Sequence, residues 1–148
     1  MDISLNNSDD LPEALKLAED IFQPNEAEKI KYHNPIDWKR RMDNGLLVLA
    51  RKEDIPVGFA ISYEKEGALH IWNVGVLEEY RRLGIWKAIY EAIMRFAKEN
   101  NYKKVTINTF KEKFPGMYNF LINNEFVEYK TEIDQLSGNT KSLFEKNI

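Results

Sequence analysis

The stretch Tyr80-Arg81-Arg82-Leu83-Gly84-Ile85-Trp86-Lys87 decides how this sequence is read. It follows a strand-like run, Leu69 to Val76, and opens a helical pattern that lasts to about Asn100. A loop running from a strand into a helix leaves several backbone N–H groups unpaired at the positive end of the helix dipole. Such a place binds phosphate, the more so with Arg81 and Arg82 beside it and Gly84 keeping the backbone accessible. The loop therefore points to a phosphate-bearing ligand.

Working outward, the helix from Gly84 to Asn100 carries Ile85, Ala88, Ile89, Ala92, Ile93 and Phe96 on one face. Lys87, Glu91, Arg95, Lys98 and Glu99 make the opposite face, the pattern of a helix lying on a core. Val105, Ile107 and Thr109 alternate with polar residues as a strand does, and Pro115 to Asn124 reads as a short helix with Pro115 in its first turn. Phe126 to Ile133 and Ser142 to Ile148 read as a closing antiparallel pair, turned at Ser137-Gly138-Asn139. Upstream, Asp2 to Leu5 is a short strand. Asp10 caps a helix that runs to Phe22, with Glu13 as capping-box partner. Gln23 to Asn44 is polar, with short helices broken at Pro24 and Pro35. Leu46 to Arg51 and Val57 to Tyr63 are strands joined through Glu53-Asp54-Ile55-Pro56, and Lys65-Glu66-Gly67 turns into the strand Ala68 to Val76. This order predicts an α+β fold with a central, mostly antiparallel mixed sheet flanked by helices, in a single domain over residues 1–148.

Composition narrows the function further. A net charge of -3 argues against a general nucleic-acid binder, which carries a basic excess. With no cysteine there is no disulfide, thiolate nucleophile or cysteine metal site. His33 and His70 stand far apart and outside any H-E-x-x-H context, so no metal site is expected. Leu46 to Ala50 is the longest apolar run and far too short to span a bilayer. With no leader or lipidation signal at Met1-Asp2-Ile3-Ser4, a cytoplasmic protein is the expectation.

With this order in place, the chain resembles the GNAT superfamily of N-acetyltransferases along nearly its whole length. Arg81-Arg82-Leu83-Gly84-Ile85-Trp86 stands where that family's pyrophosphate loop reads Gln/Arg-x-x-Gly-x-Gly/Ala. Val76-Leu77-Glu78-Glu79-Tyr80 resembles its lead-in, Pro56-Val57-Gly58-Phe59 its third-strand start, and Pro115 to Phe126 its later helix. The resemblance implies acetyl-CoA as cosubstrate and a small-molecule or peptide amine as acceptor, by direct attack in a ternary complex. Amides of Arg82, Leu83, Gly84, Ile85, Trp86 and Lys87 would hold the pyrophosphate beside Arg81. Val74 and Val76 would offer main-chain groups to the pantetheine arm, and Asn108 could hydrogen-bond it. Two positions depart from the pattern: Trp86 replaces the loop's final small residue, and Leu121 stands where the family's frequent tyrosine falls. A binding-only member of the fold, taking acyl-CoA or a protein partner, is the alternative; a homodimer is open.

The reaction needs a neutral amine, a polarised thioester carbonyl and a proton for the departing thiolate. His70 is the candidate base, at a position where some family members carry glutamate; a strand histidine with its edge in solvent is the plain alternative. Tyr118 is the candidate acid, three residues before Leu121 on a similar helix face; an ordinary packing tyrosine is its plain alternative. Trp38, Tyr32, His33 and Tyr63 are candidates for an acceptor pocket, with core packing favoured for Trp38. For Trp86, sideways packing beside Tyr90 is expected, its backbone N–H left free.

Overall fold

The computed structural model describes residues 1–148. The chain runs β1 (Asp2–Leu5), α1 (Leu11–Phe22), α2 (Glu26–Tyr32), α3 (Pro35–Asp43), β2 (Gly45–Lys52), β3 (Ile55–Lys65) and β4 (Ala68–Val76). It continues through α4 (Ile85–Glu99), β5 (Lys104–Thr109), α5 (Pro115–Asn123), β6 (Val127–Ile133) and β7 (Thr140–Asn147). All seven strands join one sheet in the order β1-β2-β3-β4-β5-β7-β6. Only β4 and β5 run parallel; every other pair is antiparallel. This is the α+β architecture the sequence order predicted.

Two tight hairpins set the register of the central strands. Glu53 and Asp54 both take positive φ, 52° and 66°, as do Glu66 and Gly67 at 52° and 82°. Two consecutive residues of this kind match the right-handed twist of the flanking strands. With register fixed, alternate residues of β2 and β3 face opposite layers. Leu47, Leu49, Phe59 and Ile61 pack with Trp38 under α1 and α3. Leu46, Val48, Ala50, Val57 and Ala60 pack with Ile85, Ile89 and Ile93 under α4, where Leu121 and Phe144 join them. Gly58 lets α4 settle close, because a Cβ there would lie 3.0 Å from Ile85 and Ile89 side chains.

The start of α1 differs from the sequence expectation. Asp10 precedes the helix but makes no side-chain cap hydrogen bond. Its carboxylate is buried and receives Ser4 Oγ and, at 2.7 Å, Arg51 Nη2 from β2. Glu13 also binds Arg51 rather than closing a capping box. A guanidinium reaching across from the sheet is a stronger partner for a carboxylate than a helix amide. The breaks expected at Pro24 and Pro35 fall between helices: Asn25 and Glu28 form a full capping box on α2, and Asn34 caps α3 with Pro35 in its first turn.

Candidate functional site

Strands β4 and β5 pair over three residues only, Leu69 with Val105, His70 with Thr106 and Ile71 with Ile107. Beyond them β4 continues beside β3 alone, and a gap opens in the sheet. A β-bulge marks the parting. Ile71 pairs with Ser62 and Asn73 with Ile61, which leaves Trp72 as the extra residue. The bulge resets side-chain parity, so Trp72 packs with the α1–α3 layer and its neighbour Asn73 also reaches that layer, donating to the Tyr32 carbonyl at 3.3 Å. Further on, Leu77 N–H donates to the Val57 carbonyl at 2.9 Å. Alternation along the ladder then turns the N–H and C=O of Val74 and Val76 away from β3 and into the gap. The Val76 carbonyl accepts from Arg81 Nε at 3.1 Å.

At one end of the gap lies the loop into α4. Arg82 and Gly84 both sit in the left-handed region, at φ 66° and 78°. That conformation favours glycine at position 84, and a Cβ there would meet nothing within 4 Å, so the space over the loop is open. The first bond of the helix is Ala88 N–H to the Gly84 carbonyl, 3.1 Å. The amides of Ile85, Trp86 and Lys87 therefore lack intrahelical partners, and no acidic residue in the first turn opposes an anion. These features fit a pyrophosphate: free donors, positive dipole, Arg81 and Arg82 adjacent, and room.

The gap is a cleft of about 530 Å³ that passes through the sheet. Trp86 and Phe120, which line it, belong to the α4–α5 layer, whereas Phe22 and Trp72 belong to the α1–α3 layer. Asn108 lines it too, as do Val74, Val76, Arg81 and Arg82. The structure thus brings together most of the residues expected around the cofactor. Phe22, Trp72, Asn73, Phe110, Lys113 and Phe114 are also on the walls and were missed by the sequence reading. Nothing in hydrophobic periodicity separates a cleft aromatic from a core aromatic, and the bulge that brings Trp72 there has no local sequence signature.

Neither catalytic candidate lines the cleft. His70 lies in the stretch still paired to β5, where its Nδ1 meets Thr106 Oγ1 at 2.7 Å and its ring abuts Tyr63 edge-on at 5.7 Å. It is 4% exposed. Burial, with the positive charges of Lys65, Arg41 and Lys141, pushes its imidazole down to about 3. Tyr118 leans onto Phe144 of β7, 5.3 Å edge-on, and its hydroxyl faces Glu128 at 3.4 Å. The face of α5 turned to the cleft is Gly116, Met117 and Phe120 instead. Leu121 is fully buried in the core. Trp38 is also fully buried and donates Nε1–H to the Tyr32 carbonyl at 2.6 Å; neither it nor Tyr32, His33 or Tyr63 lines the cleft.

Trp86 packs sideways beside Tyr90, as expected, and also lines the cleft. Its ring lies 6.0 Å from Tyr90 and 5.6 Å from Phe120, bridging α4 and α5, while one side faces the cleft. Its indole nitrogen is buried without a partner.

Comparison with known proteins agrees with this architecture. The model of the acetyltransferase (GNAT) family matches residues 11–121, and the chain belongs to that family. The ribosomal-protein-S18-alanine N-acetyltransferase of Escherichia coli superimposes with a TM-score of 0.80 at 15% identity, over 99% of this chain and 93% of that one. The IAA acetyltransferase of Bacillus cereus gives 0.78 at 16% identity, over 99% of each chain. A Bacillus anthracis protein assigned as a streptothricin acetyltransferase, solved in complex with acetyl coenzyme A, gives 0.67 at 17%, over 75% of this chain and 68% of that one. Likeness at these identities concerns the fold. No curated protein matches the sequence.

Proposed function

We propose that the chain is an acetyl-CoA-dependent N-acetyltransferase acting on a primary amine by direct attack in a ternary complex. The observation that carries this reading is the through-sheet cleft with an unblocked helix N-terminus at one end and free strand main chain along one wall. Amides from Arg82 to Lys87 would hold the pyrophosphate, with Arg81 and Leu83 completing the loop. Val74 and Val76 would receive the pantetheine arm as a strand would be received, and Asn108 would bind it from the opposite side. Acetyl-CoA supplies an activated acetyl group as a thioester. The chain's part is to orient that group with a β4 amide aimed at its carbonyl oxygen, and to bring the amine in from the other face. Support comes also from family membership and from the related fold solved with acetyl coenzyme A.

Calorimetric titration with acetyl-CoA, with ATP as comparator, tests the reading. Gly84→Asp adds a negative charge above the free amides at a backbone position that favours glycine, and is expected to weaken acetyl-CoA binding at least about tenfold. Equal affinity in a folded Gly84→Asp variant would remove the loop from the site. A binding-only protein is the second reading, favoured by Leu121 lying in the core where a phenol would be wanted. It requires tight acetyl-CoA binding and no transfer to any amine.

A further inference from the structure

The far face of the cleft is built differently from the phosphate end. Trp72 is held there between Arg41, whose guanidinium stacks 4.1 Å from its ring, and Tyr32 at 6.3 Å. Opposite, Phe22 at the end of α1 meets Phe114 of the β5–α5 connection edge-on, 6.4 Å across the gap. With Phe110 they make an aromatic mouth. The ionisable side chains on the cleft wall are Arg81, Arg82 and Lys113, every one a cation. Asn73, Asn108 and Thr109 supply neutral polar groups.

Two physical consequences bear on the acceptor. A polyamine or other polycation entering this cleft finds no carboxylate on its wall to receive it, and Arg81 and Arg82 belong to the phosphate end. An amine that arrives protonated also finds no wall group able to take its proton near neutral pH, since His70 is sealed beneath the β4–β5 ladder. The acceptor must then enter neutral. At pH 7.5 an α-amine of pKa about 8 is roughly a quarter neutral, whereas a lysine side chain of pKa about 10.4 is roughly 0.1% neutral. The greater nucleophilicity of the more basic amine returns only part of that difference.

Building on the N-acetyltransferase reading, we infer that the acceptor is the α-amine of a peptide or aminoacyl amide whose first side chain is apolar or aromatic. The side chain packs in the mouth formed by Phe22, Trp72 and Phe114. The amine nitrogen forms the new C–N bond to the acetyl carbonyl carbon as the C–S bond breaks, and one of its protons passes to the departing sulfur, giving the amide and free CoA thiol. No protein side chain gains or loses a proton over the cycle.

The test uses the full chain and acetyl-CoA, following thiol release with four acceptors: phenylalanine amide, a pentapeptide beginning with phenylalanine and lacking lysine, Nα-acetyl-lysine amide and spermidine. At pH 7.5, kcat/KM for at least one of the two α-amines should exceed that for the lysine derivative and spermidine at least about tenfold. Turnover of phenylalanine amide identifies a small acceptor as sufficient; turnover of the pentapeptide alone identifies a peptide N-terminus. The acidic limb of kcat/KM should move with the pKa of the acceptor when glycine-extended α-amines of different basicity are compared. Equal or faster reaction of the lysine derivative or spermidine, a limb that stays fixed as acceptor pKa changes, or no turnover of any acceptor in a protein that binds acetyl-CoA overturns the inference while the cofactor assignment stands. Failure to bind acetyl-CoA overturns the functional reading itself.

Discussion

At the scale of single residues, His70 turns from a candidate base into a determinant of acid stability. Its imidazole titrates near 3 in the fold through burial and neighbouring cations, and near 6.5 in an unfolded chain. Between those values the unfolded state binds more protons, so stability falls as pH drops through the window below about 6.5. His33, also lowered chiefly by burial, works in the same direction. His70→Gln should lessen the loss between pH 7 and pH 5 by about 1 kcal/mol or more, measured by urea unfolding at the two pH values. It should leave turnover within about twofold, as should Tyr118→Phe; a tenfold fall in either rate would return that residue to the chemistry. Sequence position alone cannot tell these roles apart. His70 occupies a strand position that resembles a catalytic one, but whether such a residue sees the cleft depends on where β4 leaves β5, and that is decided by the bulge at Trp72, two residues on.

At the scale of elements, one side-chain system joins a helix to the sheet and another joins two helices. Arg51 on β2 binds Asp10 and Glu13 at the start of α1, and Asp10 is 3% exposed. Arg51→Met would strand that carboxylate, with an expected cost of about 3 kcal/mol in urea unfolding, whereas Arg51→Met with Asp10→Asn should recover part of it. Trp86 joins α4 to α5 through Tyr90 and Phe120. Trp86→Ala is expected to cost about 2 kcal/mol of stability through lost aromatic contact while retaining acetyl-CoA affinity within about threefold, because on the proposed reading the loop would bind through main-chain groups. Loss of binding without loss of stability would instead make the indole part of the ligand site. The elements themselves were legible: the periodicity of Ile85 to Phe96, the alternation of Val105 to Thr109 and the punctuation by glycine and proline follow from local physics. The partners of Asp10 were not, because a capping box is a local pattern and Arg51 lies 41 residues away.

At the scale of the whole molecule, the mixed, mostly antiparallel sheet and the strand-to-helix loop at one end of the cleft could be read from the chain, since the loop after β4 carries its glycine, its cations and its helix start in one run. The aromatic mouth could not, because Phe22, Trp72 and Phe114 come from three elements that meet only in the folded sheet. The three-residue ladder between β4 and β5 that opens the cleft also divides the sheet. β2, β3 and β4 are held to one another by long antiparallel ladders, with β1 joined over four residues, and β5, β7 and β6 are held likewise. The two groups meet in the sheet through this short ladder alone, supported by the packing of α4 and α5 and by side-chain contacts such as Phe22 with Phe114. Such a seam is where cooperative unfolding subdivides. Native-state hydrogen exchange should therefore separate two protection classes, with amides of β5–β7–β6 opening as a group at lower denaturant than those of β2–β3. A single class spanning both groups would show that the helices alone weld them. A ligand lying along Val74 and Val76 touches both sides of the seam, so its binding should raise the protection of the C-terminal strands far from any atom it contacts.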